Sequence, residues 1–242
     1  MVKQFRIGTA AWALPRSVRD RFPDGSSNLA RYSGCFDAVE INTSFYRPHR
    51  RNVYARWAEA VGDDFRFAVK LPKAISHEAR LQDCAGPLAA FFDQAAGLGA
   101  KLGPVLLQLP PKLAFDAAVV ARFLHDFREA SDAQLVCEPR HASWFDPEAD
   151  ALLAEHRVAR AAADPARVPQ AATPGGWTGL AYFRLHGSPR IYWSSYDAAA
   201  LAQWEEAARA AAAEQCWVIF DNTASGAATA DALALQDRLR PG

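Results

Sequence analysis

The sequence has few cysteines and no excess of charge of either sign. Its 242 residues contain 27 Lys plus Arg and 27 Asp plus Glu, so the formal net charge is zero. Proteins that coat nucleic acid or anionic membranes non-specifically usually carry a basic excess, and that function class is therefore disfavoured. The four cysteines are far apart, which excludes a CxxC metal or redox motif. They are Cys35, Cys84, Cys137 and Cys216.

The chain also lacks a long apolar run and any linker. The segment Met1–Gly8 has no apolar signal core, and no later stretch is long enough to span a bilayer. We therefore expect a cytoplasmic protein with reduced thiols and no membrane partner. Half of the residues are hydrophobic, and no Gly/Ser-rich or low-complexity tract divides them. These features predict a single domain over residues 1–242.

Eight short β-rich runs alternate with helix-like stretches along the whole chain. Their centres recur roughly every 30 residues, the length of one βα unit. Such alternation predicts an α/β fold with a parallel sheet, and eight units fit a single closed (β/α)8 barrel of the TIM type. The predicted strands are Phe5–Thr9, Ala38–Ile41, Phe65–Lys70, Pro104–Gln108, Gln134–Glu138, Val158–Ala162, Ala181–Leu185 and Cys216–Phe220.

Helical patterns fill the intervals between most of these strands. The sixth strand is predicted to be weak, because Val158–Ala162 has little β propensity. Three prolines and two glycines in Asp164–Trp177 predict an irregular loop and a reduced sixth helix. The predicted helices are Arg51–Val61, Leu88–Leu98, Ala117–Ala130, Asp146–Glu155, Asp197–Glu214 and Gly226–Leu239.

Strand parity directs polar side chains toward one end of the predicted barrel. Alternate strand residues point inward, and function gathers where the strands end. Val39 and Ile41 suit the helix-facing side, so Glu40 points inward. The same reasoning predicts inward-pointing side chains for Asn42, Lys70, Gln108, Glu138, Tyr182, Arg184 and His186. The last strand ends in Asp221-Asn222. We interpret this ring as a ligand site, with a structural ion-pair network as the alternative.

Loops that follow these strands supply further candidates. The predicted ligand contacts from the loops are Trp12, Tyr46, His77, Arg140, His141 and Trp144. Basic residues outnumber acids on this predicted face, and Arg and Lys commonly bind phosphate or carboxylate. The pattern therefore favours a small anionic ligand.

Seven sequence blocks stand in order along the chain. They are Ile7–Trp12, Phe36–Tyr46, Phe65–Lys70, Val105–Pro111, Glu138–Trp144, Tyr182–Gly187 and Phe220–Asn222. Together they resemble the YecE-like domain-of-unknown-function family 72, and the resemblance covers about residue 5 to about residue 240. It implies a (β/α)8 barrel and implies no particular reaction.

The residues favour a metal-independent enzyme or binder for a small phosphate- or carboxylate-bearing molecule, with no cofactor. Glu40 and Glu138 are the candidate acid and base, and His186 is a candidate proton shuttle. Lys70 is the fourth candidate catalytic residue. A lysine at a strand end can form a Schiff base, but we favour an ion-pairing role for it. Asn42, Gln108, Arg184 and Asn222 complete the predicted ligand contacts.

Two other functions remain open. One is metal-assisted phosphodiester chemistry on a nucleic acid, for which histidines and carboxylates supply suitable ligand types. No HxH or HExxH spacing supports it, and Lys70, Arg140 and Arg184 would repel a cation, so nucleic acid is the less favoured partner. The other is a non-catalytic binding or scaffold role, which would require an exposed apolar patch. The sequence leaves the oligomeric state open.

Overall fold

Strands and helices alternate through residues 3–240, the part of the chain that the computed structural model describes. Ten strands lie in this part: β1 Gln4–Thr9, β2 Ala38–Ile41, β3 Arg66–Lys70, β4 Leu102–Gln108, β5 Leu135–Glu138, β6 Val158–Arg160, β7 Ala162–Asp164, β8 Gly175–Gly176, β9 Leu180–Leu185 and β10 Gln215–Phe220. Seven α-helices accompany them: α1 Asn28–Ser33, α2 Arg51–Glu59, α3 Ala85–Ala95, α4 Ala117–Ala130, α5 Pro147–Glu155, α6 Ala198–Ala210 and α7 Ala227–Leu239.

The strands form two mainly parallel sheets. One has the order β1-β10-β9-β7 and the other the order β2-β3-β4-β5-β6-β8, in which only the β6–β8 pairing is antiparallel. A parallel bridge between Ala10 and Glu40 connects the β1 edge to the β2 edge. At the opposite edges, a single residue, Ala161, separates β6 from β7, and these two short strands pair with β5 and β9 respectively.

Gly8 makes the close approach of β1 to β2 possible. A β-carbon at this position would lie 2.1 Å from the carbonyl oxygen of Ala38, a distance that no side chain tolerates. The next residue is tied to the same region, because the hydroxyl of Tyr32 accepts a hydrogen bond from the Thr9 amide at 2.9 Å and donates to the Ala38 carbonyl at 3.1 Å. These contacts hold the two strand ends, and with them Glu40, beside each other.

Side chains on the two faces of the strands enter two separate apolar clusters. The larger, outer cluster includes Val39, Phe67 and Val105 and packs against the helices. The inner cluster contains Ala10, Ala38, Ala68, Leu106, Val136, Ala159, Ala161, Leu180, Tyr182, Trp217 and Ile219. Because side chains alternate along a strand, residues two positions after Ala38, Ala68 and Val136 lie on the inner side as well. The inner face therefore changes from apolar to polar toward the carboxyl ends of the strands.

Several helices begin at residues whose side chains cap the first turn. Asp116 accepts hydrogen bonds from the amides of Ala118 and Val119 at the start of α4, and Asp197 does the same for α6. Helix α6 ends at Ala210, four residues before the predicted end, because the backbone turns extended at Ala211 to enter β10. Helix α1, which the sequence patterns did not predict, begins after the capping Ser27.

The sixth βα unit differs from the others. The predicted strand Val158–Ala162 is divided into β6 and β7 and extends to Asp164. Residues 164–177, all of which the structure describes, contain no α-helix; a four-residue 3-10 helix and β8 take its place. Arg160 holds this segment, because its guanidinium pairs with Asp150 at 2.7 Å and donates to the carbonyl of Gln170 at 3.0 Å.

Across the described residues, the structure contains no helix whose length and hydropathy suit a membrane crossing.

Candidate functional site

A fully buried arginine organises the polar end of the inner face. Arg184, near the end of β9, donates from Nε and Nη2 to the two oxygens of Glu40, at 3.0 and 2.7 Å. Its Nη1 bonds Glu138 at 2.5 Å, and Nη2 also bonds Asp221 at 3.0 Å. Tyr182 donates its hydroxyl to Glu40 at 2.9 Å. We call Glu40, Glu138 and Asp221 the carboxylate cluster.

His186 and Arg140 extend this network toward solvent. The Nδ1 atom of His186 lies 3.0 Å from Asp221, and its Nε2 atom lies 3.1 Å from both Glu138 and Arg140. A hydrogen on Nδ1 would donate to Asp221, and a hydrogen on Nε2 would donate to Glu138. Arg140 Nε also donates to Glu138 at 2.7 Å, and Gln108 donates to the same carboxylate at 3.2 Å. Glu138 is therefore the most heavily bonded member of the cluster.

The surrounding cations keep two of these carboxylates ionised. Burial alone would raise the pKa of Glu138, but the charges of Arg184 and Arg140 hold it well below the usual value. Burial opposes ionisation of Asp221 in the same way, and Arg184 nevertheless keeps its pKa lowered. A carboxylate of this kind is a poor proton donor near neutral pH. Glu138 and Asp221 are thus suited to orient neighbouring groups and to balance charge.

Lys70, the last residue of β3, stands apart from this network. Its side chain is only 7% exposed, yet within the described residues its Nζ atom has neither a hydrogen bond nor an ion pair. The ammonium instead lies 4.3 Å from the centre of the Phe45 ring. Burial and the charge of Arg184 lower the pKa of Lys70 to about 8, although Glu40, Glu138 and Asp221 act in the opposite direction. Lys70 is the least compensated cation of the site.

Aromatic residues border this group of charges. The Phe45 ring packs edge-on against His77 and Tyr46, each at 5.0 Å, and Tyr46 is largely exposed. Burial and the charges of Lys70 and Arg140 lower the pKa of His77. On the other side, Tyr192 lies 5.7 Å from the His186 ring. We call Lys70, His77, Gln108, Arg140 and Tyr192 the mouth.

The structure brings many of the predicted residues together. Hydrogen bonds or charge interactions connect Glu40, Asn42, Lys70, His77, Gln108, Glu138, Arg140, Arg184 and His186. Other predicted contacts have local partners. Trp12 packs edge-on against Trp57 at 5.2 Å, and His141 Nδ1 caps a 3-10 turn by accepting from the Ser143 amide.

Three of the predicted ligand contacts have fully buried side chains with partners inside the protein. Trp144 is 1% exposed in the outer cluster, where its indole donates to the Leu113 carbonyl at 2.9 Å. Asn222 is fully buried and donates to Asp231 at 2.6 Å. Arg184 is fully buried too, and it forms ion pairs with three carboxylates. Each of these residues supports the site from below.

Within the charged network at this end of the strands, cations and carboxylates are equal in number. Three cations, Arg140, Arg184 and Lys70, stand among three carboxylates. Sequence reasoning counted Arg and Lys in the loops and gave Asp221 no role, although Asp221 shares the parity of Trp217 and Ile219. Tyr182 and Phe45 were not among the predicted contacts, although Tyr182 has the parity of Arg184. Nowhere in residues 3–240 do three or more His, Cys, Asp or Glu side chains form a group that could hold a metal ion.

The fold and the site define an α/β protein with parallel sheets, whose charged residues gather at the carboxyl ends of the strands. Residues 6–242 match the sequence profile of the family described as "Protein of unknown function DUF72", and the chain belongs to that family. The resemblance read from the sequence blocks is thereby confirmed.

Curated relatives and solved structures agree with this assignment. The UPF0759 protein YecE of Escherichia coli K12 is 38% identical over 104 residues, which are 43% of this chain and 37% of YecE. The UPF0759 protein YunF of Bacillus subtilis is 28% identical over 149 residues, 58% of this chain and 52% of YunF. The matched part is thus only a portion of each relative.

Structural similarity extends over almost the whole chain. A DUF72 family protein from Enterococcus faecalis V583 superposes with a TM-score of 0.81 at 23% identity, covering 98% of this chain and 95% of that one. A DUF72 family protein from Thermotoga maritima has a TM-score of 0.79 at 23% identity, covering 97% and 98%. A fusion protein with a xylose isomerase-like TIM barrel reaches 0.53 at 13% identity, covering 44% of its own chain. These likenesses concern the fold alone.

Proposed function

We propose that the mouth binds a small anionic molecule bearing a phosphate or carboxylate group, as substrate or ligand, without a metal ion. The observation that carries this proposal is Lys70, a largely buried residue whose ammonium has no hydrogen bond or ion pair among the described residues. A buried charge is costly unless something compensates it, and a bound anion would supply that compensation.

Arg140 is the second residue that favours an anion. Its side chain is 13% exposed at the edge of the network, beside His186 and Glu138. A well-aligned hydrogen bond to a charged group contributes about 1.5–3 kcal/mol. Two such contacts, from Lys70 and Arg140, correspond to a dissociation constant between about 6 mM and about 40 µM.

The carboxylate cluster would determine the orientation of the bound molecule. Arg184 and Arg140 hold the cluster in place, so that its carboxylates are fixed negative charges close enough to act on Lys70. The molecule's anionic group is kept at the Lys70–Arg140 side, and its hydroxyl or amino groups face Glu138 or His186. This arrangement suits a molecule that is anionic at one end and polar at the other.

The architecture behind this proposal is a single closed (β/α)8 barrel. The Ala10–Glu40 bridge supports closure at one junction, and the change of partner between β6 and β7 supports closure at the other. Counted as one strand, β6 and β7 leave eight parallel strands in a single domain. Four unpaired cysteines are in keeping with a cytoplasmic location, where thiols stay reduced.

Isothermal titration calorimetry tests the binding proposal with glycerol 3-phosphate and inorganic phosphate as ligands and glycerol as the uncharged control. The wild-type protein should bind both phosphates and not glycerol. Lys70→Met should weaken phosphate binding about tenfold or more, the effect of losing one charged contact. Lys73→Met is the matched control, since Lys73 is exposed and pairs with Glu78 at 3.0 Å. Equal phosphate affinity in wild type and Lys70→Met, or binding by neither, would overturn the proposal.

A further inference from the structure

Lys70 differs from the other lysines whose contacts the structure describes. Lys73 pairs with Glu78 at 3.0 Å, and Lys101 donates to the backbone carbonyls of Ala58 and Val61. The Nζ atom of Lys70 makes no comparable bond in residues 3–240. Its amine is thus free to react, whereas these other amino groups are occupied.

Nearby carboxylates do not pair with Lys70 because arginines already occupy them. Arg184 bonds Glu40, Glu138 and Asp221 together, and Arg140 takes a further oxygen of Glu138. The ion-pairing role that the sequence favoured for Lys70 therefore finds no partner in the structure. The Phe45 ring, 4.3 Å from Nζ, adds an apolar wall on one side of the amine.

We propose that Lys70 is a nucleophile that forms an imine with the carbonyl group of a small aldehyde or ketone carrying a carboxylate or phosphate. This inference rests on the proposed function, because the same mouth binds the anionic group, and it adds the reactive class of the ligand. Arg140 holds the anionic group, so that the carbonyl carbon lies over Lys70. The carboxylate cluster stabilises the positively charged iminium that forms.

The covalent step balances without any oxidant or cofactor. The neutral amine of Lys70 attacks the carbonyl carbon, a C–N bond forms, and a proton moves from nitrogen to the carbonyl oxygen to give a carbinolamine. Loss of that oxygen as water leaves the imine, so one amine and one carbonyl give one imine and one water. With its pKa at about 8, the amine is neutral in about a tenth of the molecules at pH 7.

Reductive trapping tests this proposal. Wild-type protein is incubated with pyruvate and cyanoborohydride, which reduces the imine to a stable amine, and peptide mapping by mass spectrometry locates the adduct. We expect one adduct per chain, on Lys70, formed at least about tenfold faster than on any other lysine. Lys73, three residues away and exposed, is the internal control. An adduct spread equally over surface lysines, or no adduct, would overturn the proposal.

Lys70→Arg separates reactivity from charge. Arginine keeps a cation at this position but has no amine that forms an imine under these conditions, so this variant should lose the adduct while binding phosphate more tightly than Lys70→Met does. Calorimetry with phosphate on the same samples distinguishes the two proposals. Phosphate binding without trapping in the wild type contradicts the imine alone, and the absence of both contradicts the anion site as well. An adduct that persists in Lys70→Arg also contradicts the assignment.

Discussion

Lys70 places a positive charge where the fold compensates it only in part. The net effect of burial and Arg184 outweighs the attraction of three carboxylates, so the pKa of Lys70 is lowered from 10.5 to about 8. A base whose folded pKa lies below its unfolded pKa destabilises the folded state wherever it is protonated. This cost is full below pH 8 and disappears as the pH rises from about 8 to about 10.5. Protonated Lys70 therefore reduces the stability of the folded protein at neutral pH.

Lys70→Met should accordingly stabilise the protein at neutral pH. The pKa shift corresponds to roughly 3 kcal/mol as an upper value at pH 7, and the gain should shrink as the pH approaches 10. Urea unfolding at several pH values measures it. Lys73→Met, which alters an exposed pair with Glu78, should stay within about 0.5 kcal/mol of wild type. Destabilisation by Lys70→Met at pH 7 would contradict this view of the residue.

Arg184 has the opposite effect, because it forms ion pairs with three buried carboxylates at once. Arg184→Met should lower the free energy of unfolding by about 3–5 kcal/mol at pH 7, the usual cost of leaving buried charges without their partner. Exposed Arg21, which pairs with Asp237 at 3.2 Å, provides the control variant Arg21→Met, and that substitution should cost less than about 1 kcal/mol.

The stability of Arg184→Met should also differ from that of the wild type in its pH dependence. In the wild type, Glu138 and Asp221 have lowered folded pKa values, so their contribution is complete above their unfolded pKa values near 4 and is lost as the pH falls further. Without Arg184 these carboxyls are easier to protonate. The stability difference between wild type and Arg184→Met should therefore narrow below about pH 4. If the difference in the free energy of unfolding between wild type and Arg184→Met stays constant from pH 7 to pH 3, the variant loses stability through packing and not through charge.

At the scale of the strand, alternation explains why part of the site was predictable. A residue's parity follows from neighbours such as Val39 and Ile41, whose apolar side chains must face the helices, and Glu40 is then fixed on the inner face. The partners of each inner residue did not follow from parity. Arg184 bonds Glu40 across 144 sequence positions, a pairing that depends on how the strands are arranged and that the local pattern does not contain.

Loops and caps were less predictable than strands, because their positions depend on distant contacts. Trp144 stands directly after a strand-end block, which suggested a ligand contact, yet its indole hydrogen-bonds the Leu113 carbonyl inside the outer cluster. Asn222 likewise turns away toward Asp231. Helix α1 is only six residues long, and its short apolar pattern, Leu29 and Tyr32, gave no clear helical period.

The segment between β7 and β9 depends on one side chain. Arg160 joins Asp150 to the carbonyls of Gln170 and Thr173. Its guanidinium also lies 4.8 Å from the centre of the Phe145 ring. Arg160→Met should lower the free energy of unfolding by about 2–4 kcal/mol, somewhat less than a fully buried pair because Asp150 is partly exposed. Hydrogen exchange should accelerate in residues 165–178 more than in α4. Equal acceleration in both regions would contradict the local role of Arg160.

At the scale of the whole molecule, the formal net charge is zero, but charged side chains of both signs are clustered at one place. Cations and carboxylates alternate at the carboxyl ends of the strands, whereas the inner cluster beneath them is apolar and rich in alanine. If the proposed anion site is correct, this arrangement should favour binding at Lys70 over binding to a broad surface. The molecule is therefore expected to bind a small anion with a defined orientation.

The position of a bound anion tests whether Lys70 and Arg140 form an anion site. Crystals of the wild-type protein soaked in selenate, an analogue of phosphate with a strong anomalous signal, locate the anion without assumption about its site. We predict an anomalous peak at the mouth, with a selenate oxygen about 3 Å from Lys70 Nζ and from Arg140, and no such peak in crystals of Lys70→Met. A mouth without selenate in the wild type, or a peak that stays in place when Lys70 is replaced, would contradict the account.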